Sequence, residues 1–349
     1  MKTTKRILAL VLSVLVLVSG CAIAAQAAEP KELKIISYNV AGLPVGTDVP
    51  FNQAALGNMF NESGYDIIAV QEDFTFHEMM VANLSNTIYP YRTYHTGGVP
   101  GGDGLNIFSK YKLNNEERTT WRSLSGVIEG GADELTPKGI LYTCIELEDG
   151  IYLDFYTVHA DAYGDSGSVA ARSDNFRQLA EIIEARGTKR PVIITGDFNT
   201  AQHFVGEASA EVYRTVLVKG CNFKDSWIEI KNGGNYENFS SWSGDYWGNW
   251  DSVDKVLYRD GDGVKLTPTA FEYKYYKNSK GESISDHSAA LATFTYEKTD
   301  SFTENEDNME VTKPEKNRNI FAFVKTLIID LFKILTDFDK LLEVLGINK

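Results

Sequence analysis

The sequence predicts an α/β chain of the α+β kind, built as two packed β-sheets covered by helices. Three observations carry this reading. Short segments rich in β-branched and aromatic residues recur from residue 33 to residue 296, glycine-containing turns separate them, and only a few amphipathic helical segments fall between. That mixture is the signature of hairpins and surface helices rather than of regular βαβ alternation. No internal repeat interrupts the span 29–297, and roughly 270 residues are enough to close one large core.

The strand candidates, in order, are LKIISYNV (33–40), YDIIAVQE (65–72), GLNIFSK (104–110), GILYTCIEL (139–147), IYLDFYTVHA (151–160), PVIITGDFN (191–199), SVDKVLY (252–258) and SDHSAALATFTY (285–296). Each is too short for a confident helix and ends against turn-forming residues. Helices are expected at NQAALGNMFNES (52–63) and ARSDNFRQLAEIIEARG (171–187), where Phe176, Leu179, Ala180 and Ile183 share a face and Gly187 supplies a stop.

The two ends of the chain differ from this middle. Lys2, Lys5 and Arg6 precede an apolar run from Ile7 to Val18, which is too short to span a bilayer and reads as an export signal over 1–27. Its cleavage has two readings: after Ala27, or before Cys21 in a lipoprotein-type LVSGC box. Residues 298–318 are charged and nearly free of large apolar side chains, an acidic linker. Residues 319–349 form an amphipathic helix with Val324, Leu327, Leu331, Leu335 and Leu342 on one face, suited to a membrane surface or to self-association. The net charge of −14 becomes more negative once the signal is removed, so a basic footprint for nucleic acid is missing overall. Besides Cys21 there are only Cys144 and Cys221, with neither a metal-ligand spacing nor an assigned disulfide.

Polar groups collect where the apolar strands finish or begin. Asn39 ends SYNV, Glu72 ends AVQE, His159 ends TVH, Asp197 and Asn199 end GDFN, Asp254 opens DKVLY, and Asp286 and His287 open the last strand. Singly these have structural explanations: a turn cap, a surface ion pair, a hydrogen-bonded histidine. Jointly, at one sheet edge, they would make an acidic cup flanked by histidines that suits a hard divalent cation and a phosphate.

In this order SYNV, VQE, HAD, GDFN, VDKVLY and SDHS resemble the endonuclease/exonuclease/phosphatase superfamily, over 33–294. The resemblance implies a four-layer α/β/β/α sandwich of the deoxyribonuclease I-like kind and a magnesium- (or manganese-) dependent phosphoester hydrolase over 29–297. GVPGGDGLNIFSK and HADAYGDSGSVAARSDNFRQLAEII look like the sphingomyelinase branch, and the inositol phosphatase and abasic-site signatures are missing. On this reading Glu72 and Asn39 hold the metal, and His287 is the general base oriented by Asp254. Asp103 orients His159, and Asp197 and Asn199 serve water and phosphate, with Asn199 and His159 on the substrate side. Asp286 flanks His287, and Gly196 leaves room for the phosphate. The expected partner is a phospholipid at a membrane surface, met by a protein secreted or anchored to the outer face of a bacterial membrane. Nucleic acid is the disfavoured same-site alternative, and a non-catalytic binding protein is the alternative of another class. The aromatic stretch NFSSWSGDYWGNW (238–250) favours lipid.

Overall fold

The computed structural model describes residues 30–303, except 45–47, 127–132, 134, 135, 149 and 238–250. The expected export signal (1–27), residues 304–318 of the expected linker, the expected amphipathic helix over 319–349 and the aromatic stretch 238–250 lie outside the described residues.

Twelve strands among the described residues form two six-stranded sheets. In the first, β11 (Val264–Lys274), β12 (Ala289–Lys298), β1 (Lys31–Asn39), β2 (Ile67–Gln71), β4 (Asn106–Ser109) and β3 (Tyr91–Arg92) lie side by side in that order. The second runs β5 (Lys112–Thr120), β6 (Gly139–Glu148), β7 (Ile151–His159), β8 (Val192–Asp197), β10 (Asp254–Arg259), β9 (Lys224–Asp225). Strand alternation sends neighbouring residues to different layers. Ile35, Ile67, Leu141, Phe155 and Ile193 fill the space between the sheets. Ile36, Ile68 and Val70 instead meet Leu56 and Phe60 of helix α1 (Val49–Ser63). On the far side Val158 and Ile194 meet Phe176, Leu179 and Ile183 of the long helix α3 (Ser166–Arg186). The result is the four-layer α/β/β/α order, with α2 (His77–Val81) added beside α1.

Helix α3 starts five residues earlier than its apolar periodicity suggests, because Asp165 caps it. Its carboxylate accepts from the Gly167 and Ser168 amides at 3.0 and 3.1 Å, satisfying N–H groups that a helix start otherwise leaves unpaired. Four strands are absent from the sequence reading, β3, β5, β9 and β11; the two longer ones, β5 and β11, carry many charged or exposed residues. Both are sheet edges, where charge is tolerated and deters further pairing. Cys144 and Cys221 are both buried, and no disulfide joins them.

A polar contact crosses the apolar interface between the sheets close to the site. The Gln71 amide donates to the hydroxyls of Thr157 (2.9 Å) and Ser37 (3.3 Å), all wholly buried. It lies one residue from Glu72 and two from His159, so it sets the sheet alignment next to the site.

The strand partner, and not a ligand, explains Gly196. Its φ is +140°, and a Cβ there would lie 2.0 Å from the Val158 carbonyl oxygen of the adjacent strand. The expectation that Gly196 makes room for phosphate is therefore corrected: it makes room for β7. Gly196→Ala should destabilise the fold by on the order of 2 kcal/mol or more, read as a lower denaturation midpoint.

Candidate active site

The strand register brings the polar ends together. β1 and β2 are parallel with Asn39 opposite Gln71, so Asn39 and Glu72 leave the first sheet at one edge. β7 and β8 are parallel with His159 opposite Asp197, and β10 runs antiparallel with Asp254 opposite Asp197. The turn before β12 adds Asp286 and His287 from the first sheet.

Asn39 joins the two halves. Its Nδ2 donates to Glu72 Oε1 and to Asp197 Oδ2, each at 3.1 Å, and lies 3.4 Å from His287 Nε2. Its carbonyl oxygen accepts from the Ala41 amide at 3.1 Å, so the face turned to Glu72 is the amino side and not the carbonyl expected as a metal ligand. His287 Nδ1 sits 3.0 and 3.2 Å from the two oxygens of Asp254, which fixes the ring and leaves Nε2 directed 3.7 Å from Asp197 Oδ2. Asp254 is itself held, through a 2.8 Å bond from Tyr273 Oη to its backbone carbonyl and 3.2 Å from Ser252 Oγ to its carboxylate. Backbone contacts place the His287 turn as well: Ser285 Oγ donates to the Asn39 carbonyl at 2.7 Å and accepts from the His287 amide at 3.1 Å.

His159 is almost wholly buried, with Nε2 3.5 Å from Asp197 Oδ2 and Nδ1 without a hydrogen-bond partner. Its backbone carbonyl is fastened by Trp121 Nε1 at 2.6 Å. Asp103 does not orient it, which corrects the sequence expectation. That carboxylate is taken by Arg118 Nη1 at 2.7 and 2.8 Å and by Thr96 Oγ1 at 2.9 Å, an ion pair bracing β5 against the start of β4. Asn199, at φ +49°, gives Nδ2 to the Ala160 carbonyl (3.0 Å) and its amide N–H to Asp197 Oδ1 (2.9 Å). It braces the turn, with one amino hydrogen left for a ligand. Asp286 is exposed at the rim.

These groups line a cavity of about 580 Å³ that includes Glu72, His159, Asp197, Asn199, Asp286 and His287. Its lining also includes the apolar or aromatic side chains of Leu43, Pro44, Phe74, Val99 and Tyr163. Sequence reasoning missed the cavity's lysine. Lys138 is nearly buried, 2.5 Å from Asp133 Oδ1, and both line the cavity. The other Asp133 oxygen accepts from the Ala162 amide at 2.5 Å, and burial, with Asp133 next, pushes the neighbouring Asp161 carboxyl up to about 8. The stretch that carries Lys138 alternates nothing and resembles an ordinary polar loop, so no periodicity signalled it.

The two histidines are driven to opposite states. Burial, then Lys138 and His287, hold the His159 imidazole well below its ordinary range, so it is neutral. Burial also works against charge on His287, but Asp254 and Asp197 together outweigh it and hold the imidazolium well above that range. The Asp197 carboxyl is raised from 3.8 to about 6, by burial first, with Asp254 adding and His287 opposing. An ionised Asp197 therefore costs folding free energy: the penalty is absent below pH 3.8, grows toward pH 6 and is full above it. Asp197→Asn should raise the thermal midpoint of the cation-free protein by a few degrees at pH 8 and leave it unchanged near pH 3.5, as followed by circular dichroism.

Residues 36–287 match the model of the Endonuclease/Exonuclease/phosphatase family, and the chain belongs to that family. It is 32% identical over 280 residues to a protein named sphingomyelinase from Mycobacterium tuberculosis, an alignment covering 76% of this chain and 53% of the relative. The chain thus spans about half the length of the curated relatives it matches. Among solved structures, sphingomyelinase C from Streptomyces griseocarneus superposes with a TM-score of 0.52 at 19% identity, covering 75% of this chain and 99% of that one. D. rerio TDP2 complexed with a single-strand DNA product gives 0.57 at 17%, covering 76% and 99%. The two share its deoxyribonuclease I-like fold.

Proposed function

We propose that the chain is a divalent-metal-dependent phosphodiesterase of the phospholipase C type that hydrolyses sphingomyelin or a related phospholipid head group. The observation that carries the chemistry is the convergence of Glu72, Asp197 and the Asp254–His287 pair on one cavity. The substrate class rests on the 32% identity to a protein named sphingomyelinase and on the apolar and aromatic residues in the cavity lining, which suit a lipid body beside a polar head. Export to the outside of the cell, as a secreted or lipid-anchored protein, rests on the N-terminal segment 1–27.

The donor set fits a hard cation. Glu72 presents a carboxylate in a cavity it shares with Asp197 and Asp286, and this excess of negative charge calls for a divalent ion with oxygen ligands. Glu72 would hold magnesium or manganese, with the Asn39 amino group fixing the Glu72 carboxylate. When bound, the ion neutralises charge on the non-bridging phosphate oxygens. Above its raised pKa His287 is neutral and, kept in one tautomer by Asp254, takes the proton of the attacking water on Nε2, while Asp197 turns that water toward the phosphorus. The neutral His159 and the cationic Lys138 face the phosphate as donors. A polynucleotide would meet the same groups, and the DNA-product complex of TDP2 makes it the same-site alternative.

The decisive assay offers purified protein sphingomyelin, phosphatidylcholine, and single- and double-stranded DNA, with magnesium and with excess chelator. Sphingomyelin turnover that needs the ion and is lost in Glu72→Gln is the expected result; DNA degradation without lipid turnover transfers the assignment to the nuclease. His287→Ala should lower kcat by on the order of 10³-fold, and Asp254→Asn by less, because the proton acceptor remains. Asp254 raises the His287 pKa, and His287 acts as base above that pKa. Asp254→Asn should therefore move the ascending limb of the kcat–pH profile to lower pH.

A further inference from the structure

Beside the cavity, behind Glu72, lies a group of side chains the proposed reaction does not use. Asp73 follows Glu72 directly and is wholly buried. Its Oδ2 is 2.6 Å from His77 Nδ1, at the start of α2, and accepts from Asn106 Nδ2 of β4 at 2.8 Å. Its Oδ1 is buried without a hydrogen-bond partner, an arrangement proteins rarely leave uncompensated. His95, from the connection between β3 and β4, reaches the same residue: its Nε2 is 3.1 Å from the Asp73 carbonyl, and its ring stacks on His77 at 4.0 Å between centroids. One donor atom each from Asp73, His77 and His95 can be chosen within 4.8 Å of one another.

We propose that Asp73, His77 and His95 form a second cation site, selective for a zinc-class divalent ion over magnesium, which fastens the turn that carries Glu72. Two imidazoles and one carboxylate are the donor set of zinc and its late first-row neighbours, whereas magnesium takes oxygen ligands. The partnerless Asp73 oxygen is the group such an ion satisfies, and Asn106 is the outer hydrogen bond that orients the carboxylate. A cation there replaces the hydrogen between His77 Nδ1 and Asp73 Oδ2, and His77 carries its proton on Nε2 instead. The ligands of one zinc-sized ion stand roughly 3.3 Å apart, and an ion cannot lie in the planes of two parallel rings at once. Binding therefore turns the half-buried His95 out of its stack. Glu72 is held at φ +57°, a left-handed conformation unusual for its type. Tying Asp73 down on its C-terminal side restricts the same turn.

The test uses the full chain, stripped with chelator and then saturated with magnesium so that a hard-cation centre is filled. Cobalt(II) is then titrated as the spectroscopic probe, with zinc in parallel. One equivalent of cobalt with a visible d–d band, at least 10-fold weaker binding in His95→Gln and Asp73→Asn, and an unchanged band in Glu72→Gln is the expected result. No band, or a band lost in Glu72→Gln and kept in His95→Gln, overturns the proposal. A measurement on the unaltered protein removes dependence on variants that fail to fold: zinc should shift the ring resonances of two of the five histidines in a long-range proton–nitrogen spectrum. Shifts of none, or of His159 and His287 alone, count against it. Phosphodiesterase turnover enters none of these readouts, so failure of the functional assignment and failure of this site remain distinguishable.

Discussion

Asn39 stands where the two sheets meet at the site edge, and its contacts to Glu72 on one sheet and Asp197 on the other hold the arrangement together. Glu72, Asn39 and His287 belong to the first sheet; His159, Asp197 and Asp254 belong to the second. A slip of one sheet over the other by a single residue would separate the His287 ring from Asp254, because only 3.0 Å divides them. An apolar interface is tolerant of such sliding, since its attraction is non-directional. Directional contacts are needed at its rim and inside it. The buried Gln71–Thr157–Ser37 bonds do this inside, and the Asn39 amide does it at the rim.

The same crowding that positions the groups also sorts their protons. Asp197 and Asp254 flank one imidazole, so the pair of carboxylates supports charge on His287, while Asp254 opposes it on Asp197. His159 sits only 3.5 Å from Asp197 yet stays neutral, because full burial and the Lys138 ammonium outweigh that one neighbour. Two residues of one type thus take different protonation states by environment alone. A bound divalent ion would enter the same balance and oppose the charge on His287.

Much of this was legible in the sequence because strands with both faces buried read as continuous apolar runs, and a polar residue ending such a run is conspicuous. Asn39, Glu72, His159, Asp197, Asp254 and His287 were all visible in this way. The edge strand β5, KLNNEERTT, was not, since half-exposed edges carry the composition of loops. Its Arg118 is what removes Asp103 from the neighbourhood of His159, so missing the strand and misplacing the aspartate were one error. Lys138 and Asp133 escaped for a different reason: they enter the cavity from an irregular segment, where side-chain direction follows no period. Gly196 shows the limit of reading glycine as space for a ligand, because a neighbouring backbone demands the same absence of Cβ.

Backbone strain marks the same edge. Ala41, Glu72, Tyr163 and Asn199 all have φ between +47° and +67°, and three of them line the cavity while Ala41 donates to Asn39. Each such residue costs about 1–3 kcal/mol relative to an extended or helical backbone. Glycine would relieve that cost at Ala41, but at Glu72 and Asn199 it would delete the carboxylate and the carboxamide that the edge presents. At Glu72 the strain is retained because a strand that continued straight past Gln71 would carry the next side chain to the opposite face of its sheet. Turning the backbone into the left-handed region at once returns Glu72 toward the cavity. The apolar layers on both sides over-determine β2 and β8, and that packing holds the turns in place.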